Sequence, residues 1–133
     1  MDTYKTHGAF SWSELMTTDP EAASAFYGEL LGWTVNEMDM GPAGKYRVAK
    51  VGDTSVGGLQ EIPAEAGKMP PMWGVYMTVD NVDQTVEKCQ ALGGKLCSGP
   101  FEVPTVGRMA VLQDPQGAKF NVITYSMDAA APS

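Results

Sequence analysis

The 133-residue sequence is short of histidine, cysteine and positive charge: one His, two Cys, and nine Lys plus Arg against sixteen Asp plus Glu. Each shortage excludes something. Most zinc enzymes, catalytic triads and histidine acid–base pairs need His at defined places, often more than one. Here there is only His7, read as an exposed residue of a polar N-terminal tail. Any catalysis would therefore rest mainly on carboxylates, amides, tyrosines, arginine or backbone. Cys89 and Cys97 are spaced C-x7-C, which is neither a zinc knuckle nor a C-x-x-C redox motif. Both are expected to be buried small apolar residues. A formal charge of −7 leaves no basic face for nucleic acid or anionic membrane, and mildly favours neutral or cationic ligands. No apolar run approaches the ~18–20 residues that span a bilayer. The first residues, Met1 to Lys5, lack the charged-then-apolar plan of a signal peptide. These features predict a soluble, cytoplasmic protein with no membrane partner. Phosphate loops, nucleophile elbows and dinucleotide fingerprints are missing too, since Gly57-Gly58 lies in a candidate strand and opens no helix.

What the chain does contain is a pattern stated twice. Trp12 and Trp73 each stand seven residues before an Asp, Asp19 and Asp80 each thirteen before a Gly, and one offset of 61 relates all three pairs. Each half reads as a strand, a helix and further strands. Asp19 is a good N-cap, Pro20 suits the first helical position, Ala23, Phe26 and Leu30 recur at helical spacing, and Gly32 ends the helix. The second helix repeats this plan with Asp80, Val82, Val86, Cys89 and Gly93. Candidate strands follow at 33–38, 45–51 and 55–61, and again at 95–98, 107–113 and 119–125. Turn signals stand at Gly41-Pro42, Gly52-Asp53 and Asp114-Pro115-Gln116-Gly117.

The expected fold is α+β: two tandem βαβββ modules forming a curved, mostly antiparallel sheet with a cleft, helices on its outer face. One domain would fill residues 1–133, with module one at about 9–62, a Pro-rich linker at about 63–71, module two at about 72–126 and a tail at 127–133.

At this point the residues resemble a known family. Asp19 through Phe26-Tyr27 to Leu31-Gly32-Trp33, Val79-Asp80 through Gly93-Gly94, and Gly107-Arg108 through Asp114-Pro115 to Gly117-Ala118 and Phe120 are similar to the vicinal oxygen chelate superfamily, over roughly residues 9–126. That superfamily includes glyoxalase I, extradiol dioxygenases, and bleomycin- and fosfomycin-resistance proteins. The resemblance implies a divalent metal held at four strand positions. These fall on or beside Trp12, in the strand around Val56 to Gly58, on Gly74 beside Trp73, and on Asn121. Typical members carry His, Glu or Gln there. Only Asn121 offers an oxygen, and one neutral amide does not hold a transition metal against water. No metal and no cofactor are therefore expected.

Glu14 is the candidate catalytic residue, lying two residues from Trp12 on the same strand face. A carboxylate in an otherwise apolar strand is paired, or its pKa rises. It reads as a general base or anchor for a cationic group, as one half of a salt bridge to Arg47 or Arg108, or as an outward, solvated side chain. Trp12 and Trp73 read either as a stacking wall for a flat or cationic ligand or as filling for the missing metal. Arg108 either points into the cleft toward an oxygen-bearing ligand or neutralises Glu14. Tyr46, Tyr76, Thr78 and Asn121 complete the candidate ligand-binding set.

Three functions follow as expectations. The first is a metal-free protein of the bleomycin-resistance type, sequestering a neutral or cationic, partly aromatic small molecule in grooves between two chains, hence a homodimer. The second is a glyoxalase-like lyase or isomerase, or a dioxygenase-related enzyme, using Glu14. The third is a non-catalytic interaction module whose cleft Trp12 and Trp73 have closed.

Overall fold

The computed structural model describes residues 1–39, 45–63 and 68–126. Its elements are β1 (Phe10–Thr17), α1 (Pro20–Leu31), β2 (Thr34–Asp39), β3 (Lys45–Val51), β4 (Thr54–Glu61), β5 (Met72–Thr78), α2 (Val82–Ala91), β6 (Lys95–Val103), β7 (Gly107–Gln113) and β8 (Lys119–Tyr125). The order is βαβββ twice, an α+β fold with predominantly antiparallel strands.

Local chemistry accounts for most boundaries. The Asp19 carboxylate accepts from the Ala22 amide at 3.0 Å, Pro20 opens α1, and Gly32 closes it at φ 76°, donating its N–H to the Gly28 carbonyl. The α2 cap falls one residue later than expected: Asn81, not Asp80, accepts from the Gln84 amide at 3.0 Å. The Asp80 N–H, just outside the helix, is given to Nδ1 of His7 at 2.9 Å. His7 is thus exposed as expected but anchored rather than loose. In the β7–β8 turn the Asp114 carboxylate accepts from the Gln116 and Ala118 amides, and Gly117 takes φ 102°. The Gly41-Pro42 turn and part of the 63–71 linker lie outside the described residues.

β6 runs past its expected end at residue 98 to Val103. It does so as an edge strand, with register shifts against β7 on both sides of Ser98, and an edge tolerates Pro100, which has no N–H to donate.

The chain divides into two compact units. In the first, Trp12–Gly74, the strand order is β2-β3-β4-β1, with β1 parallel to β4 and the other pairs antiparallel. Leu15, Ala49 and Leu59 form its core beneath α1, joined by Ala23, Tyr27, Trp33 and Val35. The second unit takes, among the described residues, Met1–Ser11 together with residues 75–126, in the order β5-β8-β7-β6. The first eleven residues join it through Gly8 N–H to the Thr78 carbonyl and Thr78 N–H to the Ala9 carbonyl. Its core beneath α2 is Val79, Val82, Val86, Ala110, Leu112 and Val122, with Cys89, Leu96 and Phe120 against it. Burying each such aliphatic side chain contributes about 1.5–3 kcal/mol. Cys89 is half-buried as part of this core, whereas Cys97, expected inside, is exposed because strand alternation turns it to the face opposite Leu96, which packs on the core.

Candidate functional site

Strand alternation separates the two faces of each sheet. In the first unit Leu15 and Leu59 pack under α1, so Glu14 and Gly58, paired with each other across β1 and β4, face away from the helix. Val48 pairs with Gly58 from the other side, which places Tyr46, two residues earlier, on the same face. Three side chains there form one hydrogen-bonded line. The Trp12 indole Nε1–H donates to the Tyr46 hydroxyl at 2.9 Å, and that hydroxyl donates to Oε2 of Glu14 at 2.8 Å. Glu14 is only 9% exposed. A carboxylate removed from water this far is costly unless strong donors meet it, and the tyrosine is such a donor.

Gly58 makes the line possible. A Cβ at Gly58 would overlap the Tyr46 hydroxyl and sit 3.3 Å from the Trp12 nitrogen. The hydroxyl therefore occupies the space into which any side chain at 58 would project.

Two expected partners of Glu14 are spent elsewhere. Arg47 meets Glu37, its cross-strand neighbour, with Nη2 at 3.1 Å from Oε2. Arg108 lies on the α2 side of its sheet, in step with Ala110 and Leu112, and grips Asp83 in the first turn of α2 with two hydrogen bonds of 3.0 and 2.9 Å. Its third bond, 2.8 Å, goes to Glu102. The expectation that Arg108 neutralises Glu14 or points into the cleft is thereby corrected. The reason is register: the even-numbered residues of β7 face the helix. The Arg108 guanidinium holds the Asp83 carboxyl below the usual carboxylate range, and both carboxylates raise the arginine in turn.

Trp73 also belongs to a helix side. Its indole donates to the Tyr27 hydroxyl at 3.1 Å, and its ring meets Tyr27 and Trp33 edge-on at 5.5 and 6.0 Å. This corrects the reading of Trp73 as a companion wall to Trp12: Trp73 extends the aromatic layer around α1.

In the second unit Tyr76 and Asn121 pair across β5 and β8, on the face opposite α2. The Asn121 amide Nδ2 donates to the Val75 carbonyl at 3.2 Å, and the buried Tyr76 hydroxyl meets the Met109 sulfur at 3.8 Å. Thr78 is 3% exposed and gives its hydroxyl to the Thr3 carbonyl, so it ties down the N-terminal segment and is not presented to a ligand. Tyr125, which sequence reasoning passed over, shares this face. It bonds Ser11 at 2.8 Å, stacks edge-on with Tyr4, and burial pushes its phenol up to about 12. The signal was present in the alternation of β8, where 121, 123 and 125 share one side.

The metal implied by the resemblance does not fit these residues. The Trp12 indole only donates, Val56 is apolar, Gly58 and Gly74 have no side chain, and the single neutral amide oxygen of Asn121 is one donor where a transition metal needs three or more. Among the described residues no three of His, Cys, Asp and Glu cluster as a metal would require. A separate cavity of about 460 Å³ lies beside α2, lined by His7, Gln84, Lys88, Cys89, Leu112 and Phe120 among others. None of the described helices is long and apolar enough to cross a membrane.

Known proteins share this architecture. The family model for the Glyoxalase/Bleomycin resistance protein/Dioxygenase superfamily matches residues 9–122. The glyoxylase-named protein CFP32 of Mycobacterium tuberculosis is 44% identical over 116 residues, 87% of this chain and 44% of its own length. The anthracycline biosynthesis protein DnrV of Streptomyces peucetius is 33% identical over 127 residues, 86% of this chain and 46% of its own. The chain thus spans about half the length of these curated relatives. Among solved structures, methylmalonyl-CoA epimerase from Mycobacterium tuberculosis superposes with a TM-score of 0.62 at 16% identity, covering 94% of this chain and 92% of its own. With the paired βαβββ order and a family match across most of its length, the chain belongs to the glyoxalase/bleomycin resistance protein/dioxygenase superfamily.

Proposed function

We propose that this protein binds a neutral or cationic, partly aromatic small molecule on the helix-free sheet face that carries Glu14 and Trp12, without a metal ion. The observation that carries the reading is Glu14 itself, a nearly buried carboxylate held on that face beside an indole ring. A carboxylate with an aromatic neighbour suits an ammonium or other N–H donor on a flat ligand. The formal charge of −7 attracts such ligands at long range. The curated relatives run to about twice this length, room for a second unit of the same size. Two copies of this chain would bring two such faces together, and the proposal includes a cytoplasmic homodimer with ligand grooves between chains. The test is a thermal-shift screen of aromatic amines and cations, followed by calorimetry. At least one compound should stabilise the wild type, and Glu14→Gln should weaken it by about tenfold or more, the worth of one charge-assisted hydrogen bond. Absence of any stabilising compound at millimolar concentration, or equal binding by Glu14→Gln, overturns the proposal.

A second reading, a glyoxalase-like lyase or isomerase with Glu14 as general base, is favoured by the 44% identity to a protein named as a glyoxylase. It requires turnover of a hemithioacetal by the purified protein, abolished in Glu14→Gln.

A further inference from the structure

We infer that Tyr46 has taken the place of a metal ion in this fold, as the group that holds and aims the Glu14 carboxylate. The resemblance implies one metal ligand on or beside Trp12 on β1 and one around Val56 to Gly58 on β4, and this chain has an indole at the first and no side chain at Gly58. Both changes serve the same end. Loss of the side chain at 58 opens the space that the Tyr46 hydroxyl fills, and the tryptophan at 12 brings a donor to that hydroxyl.

The direction of the line follows from its chemistry. An indole N–H can only donate, so it uses a lone pair of the tyrosine oxygen and leaves the phenolic proton for Glu14. A hydroxyl that accepts at one side donates more strongly at the other, so Trp12 reinforces the bond that Tyr46 makes to the carboxylate. A neutral, rigidly placed donor thus meets the carboxylate within the sheet face and fixes its orientation. The tyrosine ring comes from β3 and the carboxylate from β1, with β4 between them; only a residue without a side chain on that middle strand lets them touch. Tyr46 is accordingly a positioning residue that acts through Glu14.

This inference rests on the reading of Glu14 as the carboxylate that engages the ligand, and its test is independent of any ligand. The full chain is labelled with 15N-tryptophan, and the Trp12 indole signal is assigned with Trp12→Phe. Tyr46→Phe keeps the ring and removes the hydroxyl, so the Trp12 indole proton should shift and exchange with solvent roughly tenfold faster, as the loss of one hydrogen bond implies. Trp33 and Trp73 should not respond. Glu14→Gln should move the same Trp12 signal through the shared hydroxyl. Chelator-treated wild type, titrated with Ni²⁺, Zn²⁺ and Mn²⁺ separately, should show no one-to-one change in that signal or in melting temperature.

An unmoved Trp12 signal in Tyr46→Phe overturns the inference. So does one equivalent of metal bound by the wild type and lost in Glu14→Gln. Should Tyr46→Phe fail to fold, Gly58→Ala, which expels the hydroxyl from the other side, gives the same readout. A protein that shows the indole response but binds no compound keeps this inference and rejects the proposed ligand. One that binds compounds through Glu14 with the indole unmoved rejects this inference alone.

Discussion

Glu14 and Gly58 stand opposite each other on parallel strands, and the missing side chain at 58 is filled by the hydroxyl of Tyr46, which donates to Glu14. Carboxylate, glycine and phenol therefore behave as one unit. Gly58→Ala should destabilise the protein by about 1–3 kcal/mol, the usual cost of overpacking, because the new methyl collides with that hydroxyl and backbone hydrogen bonds tie β4 on both sides. Urea denaturation measures it. In a Tyr46→Ala background the same substitution should cost much less; an equal cost in both backgrounds would mean the two groups do not compete for space.

The second unit's stability should depend on acid through Asp83. Its pKa is lowered in the folded state, mainly by the hydrogen bonds from Arg108. A depressed carboxylate stabilises the fold above its unfolded pKa, near 3.9, and loses that contribution as pH falls through the folded value. The melting temperature of Asp83→Asn should lie below that of wild type at pH 7, and the gap should begin to narrow as pH falls below about 4. Salt should narrow the gap at pH 7, since the pair is exposed. A gap that stays constant as pH falls from 7 into the acid range would assign the effect to something other than this ion pair.

Alkali should act through Tyr125. Burial raises its phenol to about 12, so between pH 10 and 12 the unfolded chain releases a proton that the folded chain keeps. Stability is therefore full below pH 10 and declines as pH rises toward 12. Tyr125→Phe cannot ionise and should remove that part of the decline, while costing some stability at pH 7 through the lost bond to Ser11. Urea midpoints collected from pH 8 to 11.5 compare the two slopes; parallel curves would rule Tyr125 out.

Each unit has one leucine fully closed off from water, Leu59 and Leu112. Leu59→Ala and Leu112→Ala should each cost about 2–5 kcal/mol, transfer plus cavity. Leu30→Ala, on the outer side of α1 at 61% exposure, should change the urea midpoint little.

Much of the fold was legible because its signals are local. Asp19-Pro20 and Gly32 bound α1, Asp114 to Gly117 build a turn, and the 61-residue offset states the module twice. Each of these acts over a few residues, through a side chain that caps a nearby amide or a glycine that reaches positive φ. Asp80 misled because two good capping residues stand side by side: Asn81 accepts from the Gln84 amide, while the Asp80 N–H goes to His7, seventy-three positions away.

The candidate site divides along the same line. Sequence by itself determined that Glu14 and Trp12 share a face and that the chain is a paired βαβββ protein. Period-two alternation and residue type suffice for that. Only the tertiary structure decided that Arg108 answers Asp83 and Glu102, that Trp73 joins Tyr27 and Trp33, and that Tyr46 reaches Glu14 across Gly58. Those contacts depend on strand register, and register is set by which residues of different strands stand opposite one another, a relation that no stretch of local sequence contains.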